Sequence, residues 1–247
     1  MKPSILCVIP SRIGSTRLPR KPLLPIQGKP MVQWTYENAC RCSQLTKVVV
    51  ATDSNEIADL IHSIGGHVMM TDPHIPTGSE RAAAVAEHHP EMDVIINLQG
   101  DEPFIQPRML ETLISPYLEG KTPEMTTLAY PLVKDKYLSP DSVKVITDQQ
   151  QNAIYFSRAP IPYFRTEQPW GDIPVYNHMG LYAFRRDFLL LYKTLKQTPL
   201  EKAESLEQLR VLENGYKIKV CLTGERTLEI NTPEEYEEAQ DFVYIPE

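Results

Sequence analysis

Short apolar runs alternate with segments of helical periodicity along the first hundred residues. Apolar residues, many of them β-branched, fill residues 5–9 and 48–51 and all of 94–98 except Asn97, and such runs predict buried strands. Residues 30–42 space their apolar side chains for a helix, and Ser54 precedes a second helical stripe as a plausible N-cap. Strands that alternate with helices indicate an α/β fold with a parallel sheet.

Two further elements continue the pattern, a short strand at 67–70 and a helix at 79–87. The second half changes character, because strand-like stretches are separated there by proline-rich connections. These stretches are 125–132, 143–147, 154–157 and 175–184. We expect one domain over 1–247, with a β-rich insertion at 125–185 that serves as a substrate lobe or a dimer arm. Helices at 201–212 and 233–242, around a strand at 217–222, close the chain.

Composition limits the classes of protein that this chain can be. Its 247 residues carry a formal net charge of -7, and nucleic-acid binding normally needs a broad basic face. The longest apolar runs span five or six residues, far short of the roughly 20 that cross a bilayer. We therefore expect a cytoplasmic protein with no membrane or nucleic-acid partner. The four cysteines form no CxxC pair and are expected to stay reduced.

The loop after the first strand concentrates positive charge in this acidic chain. It reads P-S-R-I-G-S-T-R-L-P-R-K-P over residues 10–22 and matches neither the dinucleotide-binding nor the P-loop glycine pattern. Gly14 would let backbone amides approach an anion, and the arginines and lysine offer charge-assisted hydrogen bonds. A triphosphate fits this loop, and so does the alternative of a solvated basic loop.

Ligands of open α/β sheets bind beyond the carboxyl ends of the strands. Besides the first loop, Thr52-Asp53 and Gln99-Gly100-Asp101 fall there. Asp101 directly follows a buried strand, where a carboxylate could hold Mg²⁺ against phosphates; a turn or helix-capping aspartate is the alternative.

Two polar features of the second half leave their roles open. His178 lies between two strand-like stretches and is either a structural histidine or a ligand contact. Glu207 and Gln208 are expected to face away from the apolar anchors Leu206 and Leu209. They form either an ordinary helix surface or a site that recognises substrate hydroxyls.

Together, eight motifs resemble the 3-deoxy-manno-octulosonate cytidylyltransferases, over almost the whole chain and in the family's order. They are the first loop, V-V-V-A-T-D, T-G-S-E-R, I-I-N-L-Q-G-D-E-P, V-K-V-I, Y-F-S-R-A-P-I-P, H-M-G-L-Y-A-F and L-E-Q-L-R-V-L-E. The resemblance implies a Rossmann-like nucleotidyltransferase fold, a three-layer sandwich with a mostly parallel sheet and a β-rich dimerisation and substrate arm. It also implies a homodimer.

The activity that the resemblance implies is transfer of CMP from CTP to the anomeric hydroxyl of 3-deoxy-D-manno-octulosonate (KDO). The products are CMP-KDO and pyrophosphate, Mg²⁺ is the cofactor, and the pathway is lipopolysaccharide biosynthesis.

The resemblance also implies roles for individual residues. Arg12, Lys21 and Asp101 would be catalytic. The nucleotide would contact Arg12, Ser15, Thr16, Arg17, Lys21, Ala51, Thr52, Asp53, Ser79 and Arg81. The sugar would contact Gln99, Arg158, His178, Tyr182, Glu207 and Gln208. The metal would contact Asp101 and Asn231.

Two positions depart from the family pattern. Arg20 stands where the family usually has glycine, which removes an easy positive-φ residue and adds a cation. Asn231 stands where the family has a second metal-binding aspartate. An amide offers an oxygen but no charge, so we expect weaker Mg²⁺ binding there or a shifted metal.

Other functions compete with this one. A related acidic sugar, such as the 8-amino analogue or a sialic-acid-like compound, would be chosen by contacts at one hydroxyl or amine. A nucleotide-binding homologue without catalysis is the second alternative, because fold alone does not guarantee activity.

Overall fold

The computed structural model describes residues 2–14, 18–166, 174–225 and 227–242. Its strands are β1 (Ile5–Ser11), β2 (Pro25–Ile26), β3 (Lys29–Pro30), β4 (Lys47–Thr52), β5 (Val68–Met70), β6 (Val94–Asn97), β7 (Met125–Pro131), β8 (Lys144–Thr147), β9 (Ala153–Ser157), β10 (Tyr176–Arg185) and β11 (Ile218–Leu222). Its helices are α1 (Met31–Cys40), α2 (Asn55–Ser63), α3 (Gly78–Glu87), α4 (Pro107–Leu118), α5 (Arg186–Tyr192), α6 (Pro199–Glu204), α7 (Leu209–Glu213) and α8 (Pro233–Asp241).

The chain divides into two compact units. The first contains Met1–Glu111 and Thr227–Glu247, and the second contains Thr112–Arg226. The range 125–185 lies within the second unit, and its role as a substrate and dimer arm stays a prediction.

A parallel sheet in the order β6-β1-β4-β5 forms the centre of the first unit. All seven residues of β1 are buried, which agrees with the continuous apolar run at residues 5–9. Ser54 caps α2 by accepting a hydrogen bond from the Ile57 amide. The parallel strands and intervening helices confirm the predicted α/β class.

A smaller apolar cluster also belongs to the first unit. Leu18, Ile26, Met31 and Phe104 pack with Ile230. Thr232 and Glu235 form a capping box that starts α8. The C-terminal segment is therefore packed beside the residues that follow the first loop.

The second unit mixes strand directions. Strand β7 pairs parallel with β11 and antiparallel with β10, while β8 pairs antiparallel with both β9 and β10. The register of β10 against β7 shifts between Met179 and Tyr182. The four strand predictions of this region are confirmed, although α4 and α5 were not predicted.

One predicted helix is wrong. Residues 201–212 form two helices, α6 and α7, because Ser205 takes a left-handed backbone with φ 53°. The Leu206 amide instead bonds back to the Glu201 carbonyl. The expected outward position of Gln208 is also wrong, since that side chain is 1% exposed.

No helix in the described part of the chain is long and apolar enough to cross a membrane. Cys7, Cys40, Cys42 and Cys221 are all free thiols, as predicted.

Arg20 adopts a left-handed backbone, the conformation that most favours glycine. Its φ is 57° and its ψ is 28°, and its guanidinium forms an ion pair with Glu56 on α2. A left-handed backbone costs a residue with a Cβ about 1–2 kcal/mol.

We predict that Arg20→Gly is more stable than Arg20→Ala, with a free energy of unfolding about 1 kcal/mol larger. Both variants lose the ion pair with Glu56, so the difference isolates the backbone. Urea denaturation measures it. At Asp59, an exposed residue inside α2, the order should reverse and alanine should be more stable. Equal stability of the two Arg20 variants would contradict the prediction.

Candidate active site

A cavity of about 490 Å³ opens in the first unit beyond the carboxyl ends of β1 and β6. Its described lining comprises Pro10, Ser11, Arg12, Gly14, Lys21, Pro22, Thr77, Gly78, Arg81, Gln99, Gly100 and Asp101. Three of these side chains are cationic and one is a carboxylate. The cavity therefore has a positive charge balance, although the chain is acidic.

Gly100 brings the two strand ends together. A Cβ at Gly100 would lie 2.4 Å from the Ser11 hydroxyl oxygen and 3.0 Å from the Pro10 carbonyl oxygen. A larger residue would therefore force the Ser11 side chain or the loop after β6 to shift. The buried hydroxyl of Ser11 has no hydrogen-bond partner among the described residues.

The N-terminus of α3 forms another wall of the cavity. Thr77 caps this helix by accepting a hydrogen bond from the Glu80 amide at 3.1 Å, and a Cβ on Gly78 would meet the Gln99 amide nitrogen at 2.7 Å. A helix N-terminus carries a partial positive charge that favours anions.

Lys21 joins the first loop to two more distant segments. Its ammonium nitrogen lies 2.5 Å from Asp101 Oδ2 and 3.0 Å from Asn231 Oδ1. The other oxygen of Asp101 is buried and has no hydrogen-bond partner among the described residues. The Asn231 amide nitrogen donates to Glu229 at 2.6 Å, which directs its oxygen towards Lys21.

Glu102 follows Asp101 in the chain and is buried, with 6% of the residue exposed. Burial raises the pKa of Glu102, and the neighbouring charges of Glu229 and Asp101 raise it further. Negative charge around Asp101 is therefore costly without a cation, which Lys21 supplies.

Arg81 is a buried cation on the cavity wall. It is 1% exposed, one guanidinium nitrogen donates to the Thr71 hydroxyl, and the other terminal nitrogen has no hydrogen-bond partner within the described ranges. Burial lowers the pKa of Arg81, an effect that Asp53 opposes. A buried donor without a partner is costly, so this nitrogen is suited to a ligand acceptor.

Several predicted nucleotide residues surround the cavity without being in its described lining. Ala51, Thr52 and Ser79 are at most 1% exposed. Asp53 accepts a hydrogen bond from the Ile13 amide at 3.4 Å, and so connects the loop after β4 with the first loop. Ser15, Thr16 and Arg17 lie outside the described residues.

Gln99 belongs to a line of polar side chains at the base of the cavity. Its amide nitrogen donates to Asn97 Oδ1 at 3.1 Å, and the Asn97 amide donates to the Ser79 hydroxyl at 3.0 Å. Arg20 is not in the described lining, and its guanidinium is directed to Glu56. This arrangement gives Arg20 no contact that would replace a carboxylate at Asn231.

The side-chain oxygens of Asp101 and Asn231 beside Lys21 fit Mg²⁺ when a substrate supplies further oxygens. That ion is usually bound through one or two carboxylates together with substrate phosphates and water. Asp101 offers one carboxylate oxygen that has no partner among the described residues, and Asn231 offers an uncharged amide oxygen beside it. No cluster of three or more histidine, cysteine or acidic side chains suited to a metal occurs in residues 2–14, 18–166, 174–225 and 227–242.

A second polar cluster occupies the interior of the second unit. His178 is 8% exposed, and its Nε2 lies 3.0 Å from the Thr127 hydroxyl while its Nδ1 lies 3.4 Å from the Gln208 amide nitrogen. The Tyr182 hydroxyl donates to Gln208 Oε1 at 3.1 Å. Burial lowers the pKa of His178 to about 3, so its imidazole is neutral near neutral pH.

Arg158 has different partners from this cluster. Its side chain donates to the backbone carbonyls of Glu204 and Pro140, and its amide donates to the Glu204 carboxylate. Its described hydrogen bonds therefore do not join it to His178 or Gln208. Glu207 is partly buried next to Gln208 in the chain.

Sequence reasoning missed several residues that shape both clusters. Ser11, Thr71 and Asn97 support the cavity, and Thr127 contacts His178. Only Ser11 had a signal, because it begins the polar loop that follows the first predicted strand. The others are ordinary strand or loop residues, and no local sequence pattern marks their contacts with Ser79, Arg81 and His178.

A parallel sheet with a cationic cavity beyond its strand ends defines a nucleotide-binding α/β protein. The model of the cytidylyltransferase family matches residues 6–218. The chain belongs to the cytidylyltransferase family, and it has the α/β nucleotidyltransferase fold.

Two curated relatives cover nearly the whole chain. The 3-deoxy-manno-octulosonate cytidylyltransferase of Acaryochloris marina is 54% identical over 97% of each chain. The protein of that name from Synechococcus elongatus is 47% identical over 95% of this chain and 96% of its own.

The structural comparisons agree. A CMP:2-keto-3-deoxy-manno-octonic acid synthetase solved in complex with CTP is 39% identical, with a TM-score of 0.90 over 96% of this chain and 97% of its own. A 4-diphosphocytidyl-2C-methyl-D-erythritol synthase from Anaerococcus prevotii is 16% identical, with a TM-score of 0.64 over 97% of this chain and 95% of its own, and it shares the fold.

Proposed function

We propose that this enzyme transfers CMP from CTP to the anomeric hydroxyl of 3-deoxy-D-manno-octulosonate. The products are CMP-KDO and pyrophosphate, for lipopolysaccharide biosynthesis. The observation that carries the proposal is the cavity at the strand ends, where Arg12, Lys21 and Arg81 face a space that has only one carboxylate in its described lining. The names and identities of the relatives support the same substrates. As part of the proposal, the reaction takes place in the cytoplasm, where CTP is available.

Charge and position assign the triphosphate to the first loop. Arg12 is exposed at the cavity and can form a bidentate contact with phosphate oxygens. Lys21 provides a point charge beside Asp101. We assign Ser15, Thr16 and Arg17 to the same triphosphate because they belong to the same loop.

The buried guanidinium of Arg81 is proposed to recognise the base. Cytosine presents two adjacent acceptors, O2 and N3, whereas uracil carries a hydrogen on N3. A donor held rigidly by burial therefore favours CTP over UTP, because the wrong base would place two donors against each other. Ala51, Thr52, Asp53 and Ser79 would shape the base and ribose subsite.

The sugar is assigned to Gln99, Arg158, His178, Tyr182, Glu207 and Gln208. Buried hydrogen-bonding side chains such as Gln208 suit hydroxyl groups, because a hydroxyl can both donate and accept.

The proposed reaction is a direct displacement at phosphorus. The anomeric oxygen bonds to the α-phosphorus as the bond to the pyrophosphate oxygen breaks, and the hydroxyl proton passes to a carboxylate or to water. Arg12 and Lys21 stabilise the charge on the phosphate oxygens and hold them in place, which supplies most of the catalysis. Asp101 and Asn231 would hold Mg²⁺, which when bound neutralises and orients phosphate oxygens.

We expect pyrophosphate release with octulosonate to be roughly 100-fold faster with CTP than with UTP, ATP or GTP. A coupled pyrophosphate assay measures the rates at equal nucleotide concentration. Replacing octulosonate by its 8-amino analogue or by a sialic acid tests the acceptor. A faster rate with either sugar would reject octulosonate as the substrate, and CTP binding without turnover would indicate a non-catalytic protein.

Arg81→Gln tests the base assignment in the same assay. The variant should lose most of the preference for CTP over UTP, whereas Arg108→Gln should keep it, because Arg108 is an exposed arginine outside the described lining of the cavity. A CTP preference that survives in folded Arg81→Gln protein would remove Arg81 from base recognition.

The second metal position gives a separate prediction. We expect Asn231→Asp to lower the Mg²⁺ concentration for half-maximal turnover roughly tenfold, because charge on a ligand strengthens Mg²⁺ binding. The Mg²⁺-dependent rise in melting temperature with CTP present should grow in parallel, which gives a readout independent of turnover. Asn231→Ala should move both quantities the other way. An unchanged Mg²⁺ dependence in Asn231→Asp would show that this residue is not a ligand.

We also propose that the enzyme is a homodimer that uses the β-rich arm. Leu138 is 75% exposed and Tyr163 is 89% exposed, and the Tyr137 hydroxyl bonds to the Pro162 carbonyl at 2.5 Å, which joins their two segments. Leu138 and Tyr163 are each next in the chain to a partner of that hydrogen bond, and a patch of large exposed apolar side chains indicates an interface.

The double variant Leu138→Asp/Tyr163→Asp should shift the protein from dimer to monomer. Light scattering coupled to size exclusion measures the mass. Leu200→Asp changes an exposed leucine of α6 and should leave the dimer intact. A wild-type mass of about 28 kDa, that of one chain, would overturn the proposal.

A further inference from the structure

The hydroxyl of Thr127 lies at the meeting point of His178 and the irregular part of β10. Its oxygen is 3.0 Å from His178 Nε2, 2.9 Å from the Leu181 carbonyl oxygen and 3.2 Å from the Met179 carbonyl oxygen. Thr127 is completely buried. One side chain of β7 therefore contacts both the histidine and the two carbonyls that flank Gly180.

The Thr127 hydroxyl has a single hydrogen and three neighbours, and this decides which nitrogen of His178 carries a hydrogen. Carbonyl oxygens only accept hydrogen bonds, and a threonine hydroxyl has a single hydrogen. If that hydrogen pointed at His178, both carbonyl oxygens would face lone pairs of Thr127 at close range. The hydroxyl therefore donates to a carbonyl and accepts from Nε2–H.

This choice sets the direction of the remaining hydrogen bonds. With hydrogen on Nε2, the Nδ1 atom of His178 is an acceptor, and the Gln208 amide nitrogen 3.4 Å away donates to it. The amide oxygen of Gln208 is then turned to the Tyr182 hydroxyl, which donates to it. The two ends of one amide are thus matched to two different neighbours.

Aromatic packing holds the ring of His178 in the same position. Tyr182 stacks on it with ring centroids 5.6 Å apart, and Phe156 contacts it edge-on at 4.8 Å. Packing fixes the plane of a ring but not the nitrogen that is protonated, which depends on hydrogen-bond partners.

We propose that Thr127 is a positioning residue that fixes His178 as its Nε2–H tautomer and so orients Gln208 for the acidic sugar. Thr127 itself does not contact the substrate. The effect on sugar binding rests on the proposed function. The tautomer of His178 does not, because it is a property of the protein alone.

Thr127→Val tests the proposal because it keeps the shape of the side chain and removes the hydroxyl. We expect KM for octulosonate to rise about tenfold, as for the loss of a partner to a buried polar group, while KM for CTP changes less than about twofold. Thr127→Ser keeps the hydroxyl and should retain the wild-type values.

Thr126→Val is the matched control. Thr126 is the neighbouring residue of β7, is also completely buried, and donates its hydroxyl to the Leu113 carbonyl at 2.8 Å. The variant loses a buried hydroxyl bond of the same kind. A purely structural effect would appear equally in both variants, whereas our proposal confines the rise in KM for octulosonate to Thr127→Val.

Nitrogen-15 NMR of the His178 ring gives a readout that does not need substrate. We expect hydrogen on Nε2 in the wild type, in Thr127→Ser and in Thr126→Val, and a mixture of tautomers in Thr127→Val. Hydrogen on Nδ1 in the wild type would overturn the proposal even if Thr127→Val does not fold. If the tautomer is as expected but octulosonate is not turned over, the proposed function fails and the assignment of Thr127 to His178 stands.

Discussion

The close approach of Gly100 to the end of β1 is the constraint on which the cavity of the first unit depends. Strands β1 and β6 run in parallel register, so their carboxyl ends reach the same edge of the sheet. Because Gly100 has no side chain, the loop after β6 can turn directly against Ser11. Asp101 is thereby placed within 2.5 Å of Lys21, a residue 80 positions earlier in the chain.

That geometry creates an electrostatic balance that favours an anionic ligand bound together with a cation. Asp101 has Glu102 and Glu229 as acidic neighbours, and together these charges are costly in a partly buried position. Lys21 offsets the cost without consuming every acceptor, since one oxygen of Asp101 has no partner among the described residues. An incoming polyphosphate with its cation would complete the set of interactions. Arg12 and the N-terminus of α3 would then attract the negative charge of the phosphate groups.

Much of this arrangement could be predicted from the sequence, because it depends on local signals. Buried parallel strands are continuous apolar runs, and the polar residues directly after them must lie at one edge of the sheet. The sequence therefore predicts that Arg12 and Asp101 lie near each other. It also predicts the cap at Ser54, whose donor is only three residues away.

The rest could not be predicted, since it depends on contacts between distant segments. The break between α6 and α7 occurs at Ser205, a residue with no special tendency to end a helix. Once the break exists, Gln208 turns inward to Tyr182 and His178, which reverses the position expected from helical spacing. The direction of Arg20 towards Glu56 has the same origin, because the partner is on α2.

Under the proposed function, the two polar clusters would solve different recognition problems. The cavity of the first unit meets its ligand with charge, a long-range interaction that tolerates small displacements of flexible side chains. The cluster of the second unit is uncharged, since burial keeps His178 neutral, so it can discriminate only through the direction of each donor and acceptor. Discrimination by direction requires rigid side chains. This requirement explains why the hydrogen bonds of His178 and Gln208 are completed by a threonine and a tyrosine inside a packed core, whereas Arg12 is exposed on a loop.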